Sequence, residues 1–139
     1  MRKFKLFAIV ALMAATTMML SSCFKETLIV GKWKVSHISS DMNTFDYDEG
    51  QTWTFKDNGS CTIFLMGVEI DGEWDISKGT LYIDLDKFYA KDYNEIKIDG
   101  EFDIDELNSS EMELSGKWIG KVDGGESESI KVDYRFKKK

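Results

Sequence analysis

A single histidine, His37, stands in this 139-residue sequence, and there is no proline. Imidazole chemistry, catalytic or metal-binding, therefore has almost nothing to work with. No serine or cysteine sits in a nucleophile-elbow pattern, so covalent hydrolysis has no visible nucleophile either. No apolar run reaches the ~20 residues that a membrane-spanning helix needs. Positive charge is also short: 18 basic residues face 25 acidic ones, a formal balance of −7. A surface of that sign repels phosphate backbones, which argues against nucleic acid as a partner. An enzyme is not expected, and no cofactor or metal is implied. The acidic group Asp41, Asn43, Asp46, Asp48 and Glu49 has the ligand chemistry of a calcium loop. Phe45 and Gln51, however, break the spacing such a loop requires.

What is present begins with an address. Arg2, Lys3 and Lys5 precede the apolar stretch Phe7 to Ala15, and Met18-Met19-Leu20-Ser21-Ser22-Cys23 follows. Basic, then apolar, then small is the order of a secretory signal. Leu20-Ser21-Ser22-Cys23 resembles the bacterial lipobox, in which the cysteine becomes the acylated first residue of the mature chain. That resemblance implies a signal peptide over 1–22, an acylated Cys23 with a short tether over 23–30, and a folded domain over 31–137. It places the protein in a bacterial cell envelope, lipid-anchored, at the outer membrane rather than the inner, with the periplasmic or surface face left open. Removing the signal takes three positive charges and moves the balance from −7 to −10. With Cys23 acylated, Cys61 has no partner within the chain. The domain must then hold itself together by packing, without an internal disulfide.

From Gly31 onward the dominant period is two, the signature of strands. Trp33, Val35 and His37 share one face of the first strand, and Trp53 and Phe55 one face of the second. Asp57-Asn58-Gly59 reads as a three-residue loop with Gly59 left-handed, because that register pairs Phe55 with Cys61 and buries Ile63 and Leu65. Val68, Ile70, Gly72, Trp74 and Ile76 alternate with acids, as do Ile96, Ile98, Gly100, Phe102 and Ile104. A turn is expected over Asp105–Ser110, then strands built on Met112, Leu114, Gly116 and Trp118 and on Ile130, Val132, Tyr134 and Phe136. Eight antiparallel strands joined by short hairpins, apolar on one face and charged on the other, predict an all-β, up-and-down barrel. A β-sandwich is the alternative.

Gly31-Lys32-Trp33 at the head of such a meander resembles the Gly-x-Trp of the lipocalins. With Trp53-Thr54-Phe55, Asp57-Asn58-Gly59, Gly72-Glu73-Trp74 and Ile104-x-x-Leu107 before Met112-x-Leu114, residues 31–137 are similar to the lipocalin-like domain of small bacterial lipoproteins. The resemblance implies that Gly31 and Trp33 close the base of the barrel and that an arginine of the last strand, here Arg135, stacks over the tryptophan. Parity along that strand nevertheless sets Arg135 on the face opposite Val132 and Tyr134.

The two long connections, 39–50 and 86–94, fall on one rim, the natural mouth for binding. Candidate ligand-binding residues there are His37, Phe45, Tyr47, Trp53, Phe88, Tyr89, Tyr93 and Trp118. These rings would stack on a small apolar ligand or simply plug the barrel; geometry leaves both open. Three functions follow: carriage of a small apolar ligand, binding of a basic protein in the manner of lysozyme inhibitors, or a structural envelope role. The register itself is testable by chemical denaturation. Trp33→Ala should cost about 3–5 kcal/mol and Glu73→Ala little, whereas two equally small effects would refute it.

Overall fold

Strands whose residues alternate apolar and charged can bury only one face, and here they do so by closing on themselves. The computed structural model describes residues 22–89, 94–123 and 125–139. A helix, α1 (Ser22–Ile29), leads into strands β1 (Gly31–Ser40), β2 (Thr52–Phe55), β3 (Ser60–Leu65), β4 (Val68–Ser77) and β5 (Thr80–Leu85). The two-residue β6 (Phe88–Tyr89) precedes the long strands β7 (Glu95–Leu107), β8 (Glu111–Val122) and β9 (Ser127–Lys138). Successive long strands pair antiparallel, β5 pairs β7, and β9 returns to pair β1. The result is a closed eight-stranded barrel, with β6 appended to the start of β7. No strand of the closed ring is left as a free edge.

The β2–β3 hairpin has the expected register: Phe55 faces Cys61, and Gly59 sits at φ +90°. Other expectations shift by one residue, each time at a bulge. Val35 faces Phe136 but His37 faces Arg135, leaving Ser36 extra in β1. A one-residue slip exchanges the two faces. His37, expected inside, therefore lies outside, and Ile38 turns toward the core in its place. A second bulge between Ile104 and Glu106 carries β7 through the expected turn and buries Leu107 opposite Met112. The turn itself is Asn108–Ser110, whose Asn108 Oδ1 accepts from the backbone N–H of Ser110 and Glu111 at 2.9 and 2.8 Å.

Rings fill the middle of the lumen. Trp53 lies within 6.5 Å, centroid to centroid, of Phe55, Phe102, Trp118, Tyr134 and Phe136. Most of these contacts are edge-to-face, the geometry that suits ring quadrupoles. The buried core of the described residues runs from Ile29 to Phe136, so the segment 22–139 carries its own core.

The base is closed by α1 and the ends of β1 and β9. Trp33 is fully buried and its indole N–H donates to the Ile29 carbonyl at 2.8 Å. Lys138 places its Nζ 4.4 Å from the Trp33 ring centroid and donates to the carbonyls of Leu28 and Val30. A cation at the last carbonyls of a helix satisfies acceptors the helix cannot satisfy itself. Burial draws the Lys138 ammonium below its ordinary pKa. Lys138, not Arg135, is thus the cation over the tryptophan. It shares parity with Val132, Tyr134 and Phe136, whereas Arg135 points outward opposite His37 and Glu113. Gly31 is required at this junction: its φ is +131°, and a Cβ there would meet Lys138 Cε at 2.8 Å.

Gly116 is required for a different reason. A Cβ on it would lie 2.0 Å from the Glu101 carbonyl oxygen and 2.7 Å from Phe102 Cα, where β7 and β8 press together. Gly120, four residues on, has nothing nearer than 4.0 Å. Thermal or urea unfolding should show Gly116→Ala losing about 3 kcal/mol, the upper range for overpacking. Gly120→Ala should stay within about 0.5 kcal/mol of wild type. Similar losses at both positions would contradict the strand contact.

Candidate functional site

The rim opposite α1 collects the β1–β2, β3–β4, β5–β7 and β8–β9 connections, and two features there are built by specific side chains. The first is a lid. Within the β1–β2 connection a 3-10 helix, Asn43–Asp48, folds over the mouth and sets Phe45 into the top of the lumen, 1% exposed. Asp48 fastens it. Its carboxylate is the buried charged group among the described residues, and it accepts from the backbone N–H of Met66 and Gly67 at 2.8 and 3.2 Å. Both donors have positive φ, 51° and 87°, in the tight β3–β4 turn. An inward carboxylate here holds two connections together. Burial pushes its pKa above the ordinary carboxylate range, and the two backbone hydrogen bonds pull it part of the way back.

The second feature is a pocket beneath the rim. It has a volume of about 240 Å³ and is lined mainly by Phe45, Leu65, Ile96, Ile98, Trp118, Gly120, Val122 and Ile130, with Met66, Lys121 and Glu128 at its edge. The Trp118 indole N–H donates to the Tyr134 hydroxyl at 2.7 Å, so the floor of the pocket turns a ring, not a polar atom, toward the opening. Burial holds that hydroxyl protonated, the Trp118 bond opposing and the Asp48 charge reinforcing the effect. Among the described residues no buried side-chain nitrogen or oxygen lacks a partner. Shape and apolar area are what this pocket has to offer a ligand.

Of the candidates drawn from the sequence, Phe45 and Trp118 meet at this pocket. Trp53 lies deeper, at 0% exposure within the ring cluster, its indole N–H donating to the Phe64 carbonyl at 3.2 Å. His37 sits on the outer wall with Nδ1 3.8 Å from Glu49 Oε2. Tyr47 and Tyr89 are on the rim, 81% and 68% exposed, and Phe88 packs half-buried against the core. Tyr93 and residues 1–21, where the signal sequence is expected, lie outside the described residues. Cys23 falls in the first turn of α1 at the closed end.

Sequence reasoning missed Ile96, Ile98 and Ile130 as pocket lining because it assigned them to a uniform core. Their places near strand ends, beside the long connections, were the available signal. It also missed Asp48, which reads as one acid among several until the β3–β4 turn is seen beneath it. Cys61 is buried, and desolvation by that burial, reinforced by the charges of Asp71, Asp86, Asp84 and Glu73, pushes its thiol pKa up to about 12. It is a packing residue without thiolate reactivity.

No protein-family model, curated protein or solved structure matches this chain.

Asp48→Ala should cost about 1–3 kcal/mol, because it strands two backbone donors. The pH dependence has a definite sign. A carboxyl whose pKa is raised on folding binds its proton more tightly in the native state. Its contribution to stability is thus full below the unfolded value and falls as pH rises through the native one. The wild-type advantage over Asp48→Ala should accordingly narrow between acidic and neutral pH in urea titrations. A gap that widens would mean that the backbone hydrogen bonds outweigh burial.

Proposed function

We propose that this is a lipid-anchored envelope protein, held through Cys23, whose lipocalin-like barrel binds a small apolar group at its mouth. The observation that carries the reading is the apolar pocket above Trp118. Its surroundings support it. Of the seven large apolar side chains exposed among the described residues, Met42, Tyr47, Met66, Val68, Tyr89 and Val122 stand on the mouth rim, and Tyr82 alone lies elsewhere. An apolar patch gathered at one end marks contact with something other than water. Because the ring cluster occupies the lumen below, the bound group is small: about 240 Å³ is under the ~300–1,000 Å³ of sites that engulf a drug-sized ligand. A single ring or a short alkyl end fits such a space, and the rest of the ligand would remain among the rim side chains.

The test is native mass spectrometry of residues 22–139 isolated from the producing cell, with organic extraction of the same sample. A reproducible apolar adduct is expected. Gly120→Leu, which fills the pocket from a position with free space around it, should weaken retention of that adduct at least tenfold. A clean apo mass for the wild type, unchanged after incubation with envelope lipids, would contradict the reading.

A second reading, binding of a basic protein, is favoured by the outer face of β4, β5 and β7. There Glu73 faces Asp84, and Asp84 faces Asp99, directly across the strands. Like charges so placed repel, and Lys97, which bonds Asp84 and Asp99, offsets only part of it. A complex on this face would dissolve at high salt and would be indifferent to Gly120→Leu.

A further inference from the structure

We infer that the closed end of the barrel is a membrane-facing surface that engages anionic phospholipid headgroups. The inference rests on the anchored reading above and adds to it an orientation and a lipid chemistry. Its basis is the distribution of charge along the barrel axis.

Besides Lys138 and Lys139, six lysines gather at the closed end. Lys25 lies on α1 beside the β4–β5 turn, its Nζ within 3.7 Å of where a Gly79 side chain would begin. Lys32 and Lys34 project from the outer face of β1, Lys56 and Lys78 flank the β2–β3 and β4–β5 hairpins, and Lys137 ends β9. Lys34 and Lys137 are direct cross-strand partners, a repulsive placement that Glu111, facing Lys137 from β8, offsets in part and that a bound anion would relieve further. The ion pairs found among the described residues use other cations: His37 with Glu49, Lys87 with Glu95, and Lys97 with Asp84 and Asp99. Acids share this end: Glu26 on α1, Asp57 beside Lys56, Asp75 before the β4–β5 turn, and Asp105, Glu106 and Glu111 by the β7–β8 turn, so the basic excess is confined to the outer face of β9, β1 and β2.

The mouth rim has the opposite character. Asp41, Glu49, Asp86, Asp123, Glu126 and Glu128 are exposed there, against Lys87 and Lys121. An anionic surface would therefore attract the β9–β1–β2 side of the base and repel the mouth.

Proximity makes this distribution effective. Cys23 sits in the first turn of α1, and a helix of 8 residues is about 12 Å long. An acyl chain on Cys23 would hold the base within about one to two Debye lengths of the headgroups at physiological salt. Basic side chains at that range add to the hold of an acyl anchor, which is weak when single. They would also keep the mouth pointing away from the bilayer.

The test uses residues 22–139 coupled through Cys23 to a maleimide-headgroup lipid; Cys61, buried and with its thiol pKa about 12, is spared. Vesicles are phosphatidylcholine alone or phosphatidylcholine mixed with phosphatidylglycerol. Lysine acetylation by an N-hydroxysuccinimide ester is then read by mass spectrometry. Lys32, Lys34 and Lys137 should label at least several-fold more slowly on the anionic vesicles, with Lys87 and Lys121 unchanged, and high salt should abolish the difference. Equal labelling on both vesicles would overturn the inference. So would equal protection on both, which would indicate contact between copies of the chain, and so would protection confined to Lys87 and Lys121. Because the coupling is chemical, the result does not depend on natural acylation. The mass of the Cys23 peptide from the producing cell tests that separately.

Discussion

The packing of Trp53 against five other rings is the constraint on which the remaining structure depends. A closed ring of eight strands encloses a space that must be filled, and here aromatic side chains from β2, β7, β8 and β9 fill its middle. Two consequences follow. The barrel can dispense with a disulfide, since Cys61 is buried as an ordinary packing group. The apolar pocket, in turn, lies above this ring cluster, beneath the rim.

The two ends are built on different principles. At the base, a buried indole and a half-buried ammonium satisfy the last carbonyls of α1, so helix, first strand and last strand are locked by one small set of bonds. At the mouth, a single carboxylate ties a connection carrying Phe45 to the turn beneath it. Phe45 sits on this connection, not on a strand, and the connection is further tied to β1 by the Gly50 N–H donating to the Val35 carbonyl. The mouth is therefore the end where opening a few bonds changes access to the lumen. Apolar and acidic side chains are exposed at the mouth, and basic ones concentrate on the β9–β1–β2 side of the base.

Much of this was legible from alternation alone. The period of two, the Asn58-Gly59 loop and the acids outside β4 and β7 were sufficient for strand count, topology and the Phe55–Cys61 register. What alternation cannot register is a bulge. Ser36 and the residue between Ile104 and Glu106 each insert one extra position, so His37 and Leu107 stand on faces the period denies them. Parity does separate inward Lys138 from outward Arg135; what it cannot show is the pair of carbonyls waiting for that ammonium at the end of α1. Of the candidate site, Phe45 and Trp118 were legible as mouth rings. The buried role of Asp48 was not, since it depends on a turn eighteen residues away.

The claim that rings fill the lumen is tested most directly by Trp53→Ala, followed by chemical denaturation and by benzene binding to the variant. A filled lumen predicts a loss of about 3–5 kcal/mol and a dry cavity that accepts benzene with measurable stabilisation. A loss under about 1 kcal/mol, with no benzene effect, would mean that Trp53 is dispensable to the packing and that the lumen already contains the space this account denies it.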